Sequence, residues 1–222
     1  MRLRAVAHFV FSSALAGFGL LGTIATIAIL LAGNVIGPIL ALLWALVTHT
    51  PWRRLGFRRP ESVISTLATG ILCGIILKLL LKAVVMPLLG FTAINTAYQF
   101  LVGNRAALPG MLTAVILEAG LGEEIVWRGF LFERFHTLMP AVRLRRAAAL
   151  LTSALLFGLA HLHDQGLAGA TQAVMTGLVF GGLFIVAGQL WLPIVAHAAF
   201  DVTAVLLIYW NLESSVGHAI FR

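Results

Sequence analysis

Between Glu118 and Arg128, in the stretch "EAGLGEEIVWR", three carboxylates and one guanidinium interrupt a chain that is otherwise close to pure hydrocarbon. Glu124 and Arg128 are spaced i, i+4 with the acid first, so on a helix they face each other and can pair. Glu123 projects about 100° away from Glu124 around the same helix. One arginine cannot serve both acids, and Glu123 is left free. Gly120 and Gly122 allow another helix or a ligand to approach closely. Glu118, five residues before Glu123, points elsewhere on an α-helix. Further on, "FGLAHLHD" puts Phe157 and His161 one turn apart, while His163 and Asp164 read as solvated residues at a membrane exit. In "WLPIVAHAAFDV", His197 and Asp201 again have i, i+4 spacing and share a face. A free carboxylate, two imidazoles and a second acid can activate water and stabilise an oxyanion. The same groups can also hold a divalent metal.

Such groups need elements that carry them into an apolar interior. Of the 222 residues, 60% are hydrophobic and only 10% are charged, with a mean hydropathy of +1.01. A soluble domain carries about 25% charged residues. The composition therefore predicts an all-α, polytopic transmembrane helical bundle. Ten-residue segments of alternating polarity are missing, which argues against an outer-membrane barrel. The net charge of +7 does not point to nucleic acid, because no basic stripe is interleaved with aromatics. The single cysteine, Cys73, excludes a disulfide framework within one chain.

About seven apolar spans are expected, near 5–31, 35–49, 62–89, 109–133, 147–163, 168–187 and 190–210. The start, "MRLRAVAHFVFSSALAGFGLLG", imitates a signal peptide, but the apolar run continues to about Ala32 and reads as an uncleaved first span. Arginines cluster at Arg2 and Arg4, at Arg53–Arg59 in "PWRRLGFRRPE", and at Arg134–Arg146. Seven spans place these three segments on one side, which would be cytoplasmic. His197 then lies seven residues, roughly 10 Å, into a helix entering from that side, so a site opening toward the cytoplasm is expected. Three regions follow: N-terminal helices over 1–105, a membrane core over 106–212 that holds nearly all the intramembrane polar groups, and a short tail, 213–222. Lys78 and Lys82, one turn apart, are expected to snorkel toward headgroups.

Taken in order, "EEIVWR" (Glu-Glu-x-x-x-Arg), "FGLAH" (Phe-x-x-x-His) and "HAAFD" (His-x-x-x-Asp) resemble the CAAX prenyl endopeptidase and bacteriocin-processing family of intramembrane proteases. The resemblance covers about residues 109–210. It implies Glu123 as general base, with His161 helping to hold the attacking water. It implies His197, with Asp201 one turn on, as the oxyanion site, and Glu124–Arg128 as a supporting ion pair. It also implies a glutamate-dependent reaction with no metal or other cofactor; a divalent metal is the alternative. The Asp201 position is often Asn in the family. Ionised Asp only accepts hydrogen bonds, so Asp201 must be protonated to donate, or else it orients His197; the second role is preferred.

The expected partners are the lipid bilayer and a peptide or protein substrate, lipid-modified or membrane-associated substrates included, and not nucleic acid. Competing functions are a metal-dependent membrane protease, a non-catalytic scaffold or immunity factor, and an ion-coupled transporter. No inverted repeat supports the last. Arg outnumbers Lys thirteen to two, with much Ala, Leu and Gly. That is the signature of a GC-rich prokaryotic genome, so a prokaryotic cytoplasmic membrane is the expected location.

Overall fold

The computed structural model describes residue 22, residues 24–139 and residues 144–221. Most of the first expected span, with Arg2, Arg4 and the signal-peptide-like start, lies outside the described residues, as does Arg143. Among the described residues every regular element is helical. Helix α1 is Gly33–Val47. Helix α2 begins at Val63 and runs through Leu80, a π-wound turn Leu81–Val85 and Met86–Leu88. After a short 3₁₀ segment, Thr96–Leu101, helix α3 runs from Leu108 to Leu138. Its middle, Val115–Glu123 and Ile125–Phe130, is π-wound. Helix α4 is Arg145–Ala187, α5 is Trp191–Tyr209, and α6 is the single turn Glu213–Gly217.

Local chemistry sets these boundaries. Pro60 keeps the residue before it out of the helical region, and Ser62 caps α2 by accepting from the Ser65 amide at 3.2 Å. Gly188, at φ 64°, ends α4 in the left-handed conformation that glycine alone adopts without strain. Gln189 then starts α5: its Oε1 accepts from the amides of Trp191 at 2.5 Å and Leu192 at 3.2 Å.

Among the described residues, three helices are long and apolar enough to cross a membrane: Val63–Leu88, Arg145–Ala187 and Trp191–Tyr209. The 43 residues of α4 are two limbs folded back on each other at Gly166, where φ is 63° and ψ −167°. A Cβ built on Gly177 would sit 2.9 Å from Cα of Ala154, one on Gly158 2.3 Å from Cγ2 of Val174, and one on Gly181 2.4 Å from Cδ1 of Leu150. Those pairings are antiparallel across the bend. The two limbs therefore match the separate spans expected at 147–163 and 168–187. The span expected at 35–49 is a shorter apolar helix, Val35–Val47. The span expected at 109–133 is the π-wound α3, which carries the charges and runs past Arg134; that arginine is buried, with its guanidinium 5.3 Å from the Trp44 ring, and is not a loop residue. A count of seven crossings does not emerge from these helices. The outward faces are apolar: Ile64, Leu67, Leu72, Leu155, Leu159 and Val186 are all exposed. A continuous apolar exterior of this kind suits lipid, not water, and the chain is an integral membrane protein.

Helix α5 runs through the middle of the bundle. Gly70 and Gly74 of α2 abut it on one side, where added Cβ atoms would lie 2.7 Å from Val195 and 2.2 Å from the Ala196 carbonyl oxygen. Gly120 of α3 abuts it on the other, 2.8 Å from Ala198. Small residues at these crossings bring three backbones together, and the polar groups on α2, α3 and α5 converge as a result.

Candidate active site

The convergence is centred on His197. Its Nδ1 lies 2.7 Å from Oε1 of Glu124, and that same oxygen lies 2.5 Å from Nη1 of Arg128. Glu124 and Arg128 are completely buried. Arg128 also donates through Nη2 to the Gly177 carbonyl at 3.3 Å, and its guanidinium sits 4.9 Å from the Phe157 ring and 5.7 Å from the Phe180 ring. The i, i+4 pair expected from the spacing is therefore present. What the spacing did not reveal is that Glu124 also holds the imidazole from the next helix but one. Since an ionised carboxylate only accepts, His197 must carry its proton on Nδ1 toward Glu124.

The other ring nitrogen is turned to the remaining acids. Nε2 lies 3.3 Å from Oδ2 of Asp201 and 3.8 Å from Oε2 of Glu123. Phe180 stacks on the imidazole with centroids 4.7 Å apart, and Phe157 meets it edge-on at 6.0 Å. The ring is thus held on its Nδ1 edge by Glu124 and on its face by Phe180, while Asp201 lies beside Nε2. Oε2 of Glu123 is buried and has no hydrogen-bond partner among the described residues.

His161 is reached from the first limb of α4. Its Nδ1 lies 2.8 Å from the Phe157 carbonyl oxygen of the preceding turn. A carbonyl only accepts, so Nδ1 carries the proton and Nε2 of the neutral ring is left as an acceptor. The Phe157 ring packs against His161 at 4.5 Å. His161, His197, Glu123 and Asp201 all line one cavity of about 680 Å³. By contrast, His163 and Asp164 pair with each other at 2.6 Å with side chains 96% and 78% exposed, as expected of solvated residues.

Three expectations need correction. Glu118 lines the same cavity as Glu123. The reason is the π-winding of Val115–Glu123: its hydrogen bonds close over five residues, not four, so residues five apart fall on nearly one side. Lys78 and Lys82 do not snorkel; both are buried. Lys82 pairs with Glu213 of α6 at 2.5 Å, and Lys78 lines the cavity. Finally, the cavity does not lie at the arginine-rich end. Its wall includes Leu31, Asn95, Tyr98, Asp164, Gln165 and Ile208. The arginine-rich segment around Gly56 instead packs on the opposite turn, where the Leu190 amide donates to the Gly56 carbonyl at 2.9 Å. Depth along α5 measured from one end carried no information about which end is open.

Among the described residues, no three His, Cys, Asp or Glu side chains are set to hold a metal ion. No curated protein and no solved structure matches the chain. One protein-family model does, the type II CAAX prenyl endopeptidase Rce1-like family, over residues 105–203. That segment contains Glu123, Glu124, Arg128, His161, His197 and Asp201, the residues on which the motif resemblance rests. Residues 105–203 of this integral membrane protein therefore match the type II CAAX prenyl endopeptidase Rce1-like family model, in line with the motif resemblance.

Proposed function

We propose that this protein is an intramembrane endopeptidase in which Glu123 activates a water molecule. The observation that carries the proposal is the unpartnered Glu123 carboxylate oxygen, buried on the wall of the cavity and facing His197 Nε2 at 3.8 Å. An acid that the fold keeps buried without a donor is one held in readiness for something that enters. His161 Nε2 supplies a second acceptor on the same cavity, and in this reading the water donates to both groups.

The steps follow from those positions. Glu123 takes one proton from the water, and the oxygen attacks the carbonyl carbon of the peptide bond. The carbonyl oxygen becomes an oxyanion and accepts a hydrogen bond from a protonated His197 Nε2. Glu123 then returns the proton to the departing nitrogen, and the C–N bond breaks to leave an amine and a carboxylic acid, which loses its remaining proton to solvent or to the amine. Glu124 fixes His197 through Nδ1, Arg128 balances Glu124, and Asp201 positions the Nε2 edge. No metal takes part in this scheme.

The test uses the purified full chain in lipid vesicles with a peptide library read by mass spectrometry. Glu123→Gln should lower cleavage by at least about 10²-fold, while helical content stays as in the parent. His197→Ala and His161→Ala should each lower it as well. Cleavage should be unchanged by chelator. Full activity in Glu123→Gln would end the proposal, and loss of activity with chelator that zinc restores would favour the metal-dependent scheme instead. Carboxylate-dependent ion flux without cleavage would point to a transporter.

A further inference from the structure

We propose that Lys78 and Gln172 form a carboxylate-binding subsite that sets the register of the substrate. The proposal rests on the endopeptidase reading above. Lys78 is 7% exposed and lines the cavity that contains Glu123. A buried ammonium needs an acid or comparable donors and acceptors to be tolerated. The chain meets that need one turn further on, where Glu213 lies 2.5 Å from Lys82. It does not meet it at Lys78. Among the described residues no carboxylate lies within ion-pair distance of its Nζ, whose contacts are Oε1 of Gln172 at 3.4 Å and the face of the Phe200 ring at 4.8 Å.

Gln172 completes the site. Its oxygen faces Lys78, so its NH₂ group has two donors, and neither is used among the described residues. An ammonium and an amide N–H₂ side by side on a cavity wall match the two oxygens of a carboxylate. The rest of the wall discourages an anion: Glu118, Glu123, Asp164 and Asp201 all line it. Lys78 and Gln172 are therefore the place on this wall, apart from the two histidines of the reaction centre, that favours a substrate carboxylate. Its distance along the peptide from that anchor decides which bond meets Glu123. The helix crossing places the anchor, since Gly70, Gly74 and Lys78 follow one another on the face of α2 that packs on α5, and the glycines bring that face into contact with Val195–Phe200. Two sources offer the same chemistry: the free C-terminus of a peptide, or an Asp or Glu side chain.

The experiment uses one peptide found to be cleaved in the library. It is synthesised with a free or amidated C-terminus, and with each internal acid as its amide. Loss of a charge-assisted hydrogen bond of this kind corresponds to roughly ten- to a hundred-fold. In the parent protein one of those amide replacements should raise KM by that factor, and which one names the source of the carboxylate. In Lys78→Met the carboxylate and amide peptides should be handled alike. Lys78→Arg should restore part of the preference, and it stands in for Lys78→Met if that variant does not fold. Equal KM for all peptides in the parent, or an undiminished preference in both Lys78 variants, overturns the subsite. The endopeptidase reading is judged separately, by Glu123→Gln. If Glu123→Gln cleaves normally, binding of the fluorescein-labelled carboxylate and amide peptides to the parent and to Lys78→Met decides the subsite by the same ratio.

Discussion

Consider replacing Glu124 and Arg128 with methionine, singly and together. Both side chains are completely buried, 2.5 Å apart. Removing one member of such a pair leaves the other charge uncompensated, at a cost of about 3–5 kcal/mol. The two single variants should differ in a way the contacts dictate. In Arg128→Met, Glu124 keeps the His197 Nδ1–H at 2.7 Å, so the cost should fall at the lower end. In Glu124→Met, Arg128 keeps only the Gly177 carbonyl at 3.3 Å and two ring faces, so the cost should fall at the upper end. The double variant removes both charges and puts two apolar side chains of similar length in their place. Exchanges of that kind are often neutral or even stabilising. Its stability should lie within about 1–2 kcal/mol of the parent, giving a coupling energy of several kcal/mol in a double-mutant cycle. Reversible unfolding in mixed detergent micelles measures all four proteins. Simple additivity of the two singles, or a cost below about 1 kcal/mol for either, would refute a fully desolvated pair. Activity is expected to be lost even in a well-folded double variant, since His197 loses its Nδ1 partner.

Gly166→Ala should destabilise by about 1–3 kcal/mol, because φ 63° with ψ −167° is a conformation open almost only to glycine; equal melting temperatures would contradict a fold-back of α4 at that residue. Lys82→Met should cost about 3 kcal/mol, the lower end for a broken buried pair, because Glu213 keeps the Gln99 amide at 3.0 Å and the Asn95 N–H. It should also speed amide exchange near Asn95, whose N–H donates to the Glu213 carboxylate at 3.2 Å; unchanged exchange there would mean that the pair does not tie down this segment. In a Cys73→Ala background, Tyr98→Cys and Arg58→Cys should react with an impermeant maleimide from opposite sides of the membrane. Labelling of both from one side would overturn the placement of the cavity mouth away from the arginine-rich end.

How much of this was legible in the residues depended on distance along the chain. The Glu124–Arg128 pair and the isolation of Glu123 follow from spacing on one helix, and both are present. The turn between the limbs of α4 was visible as the polar break His163–Gly166 between apolar runs. The shared grip of Glu124 on Arg128 and His197 was not visible, because it spans 73 residues and no local period encodes it. Lys82 misled for the same reason: its acid lies 131 residues away, in a segment that looked like a plain tail. Glu118 was misplaced because spacing arguments assume α-helical winding, and a slip to π-winding moves every later residue around the axis.

The grip of Glu124 has a consequence for how the protein is made. Helix α3 leaves the ribosome carrying Glu118, Glu123, Glu124 and Arg128, but Gly177 and His197 are still to be synthesised. At about 5–20 residues per second, the 73 residues between Glu124 and His197 take roughly 4–15 s. For that interval the most polar helix of the bundle has Arg128 for a local partner and little else. Insertion of α3 into lipid is therefore expected to wait until α5 has been made. Nascent chains arrested before residue 190 should remain beside the insertion machinery, and release into lipid should begin only once α5 has emerged.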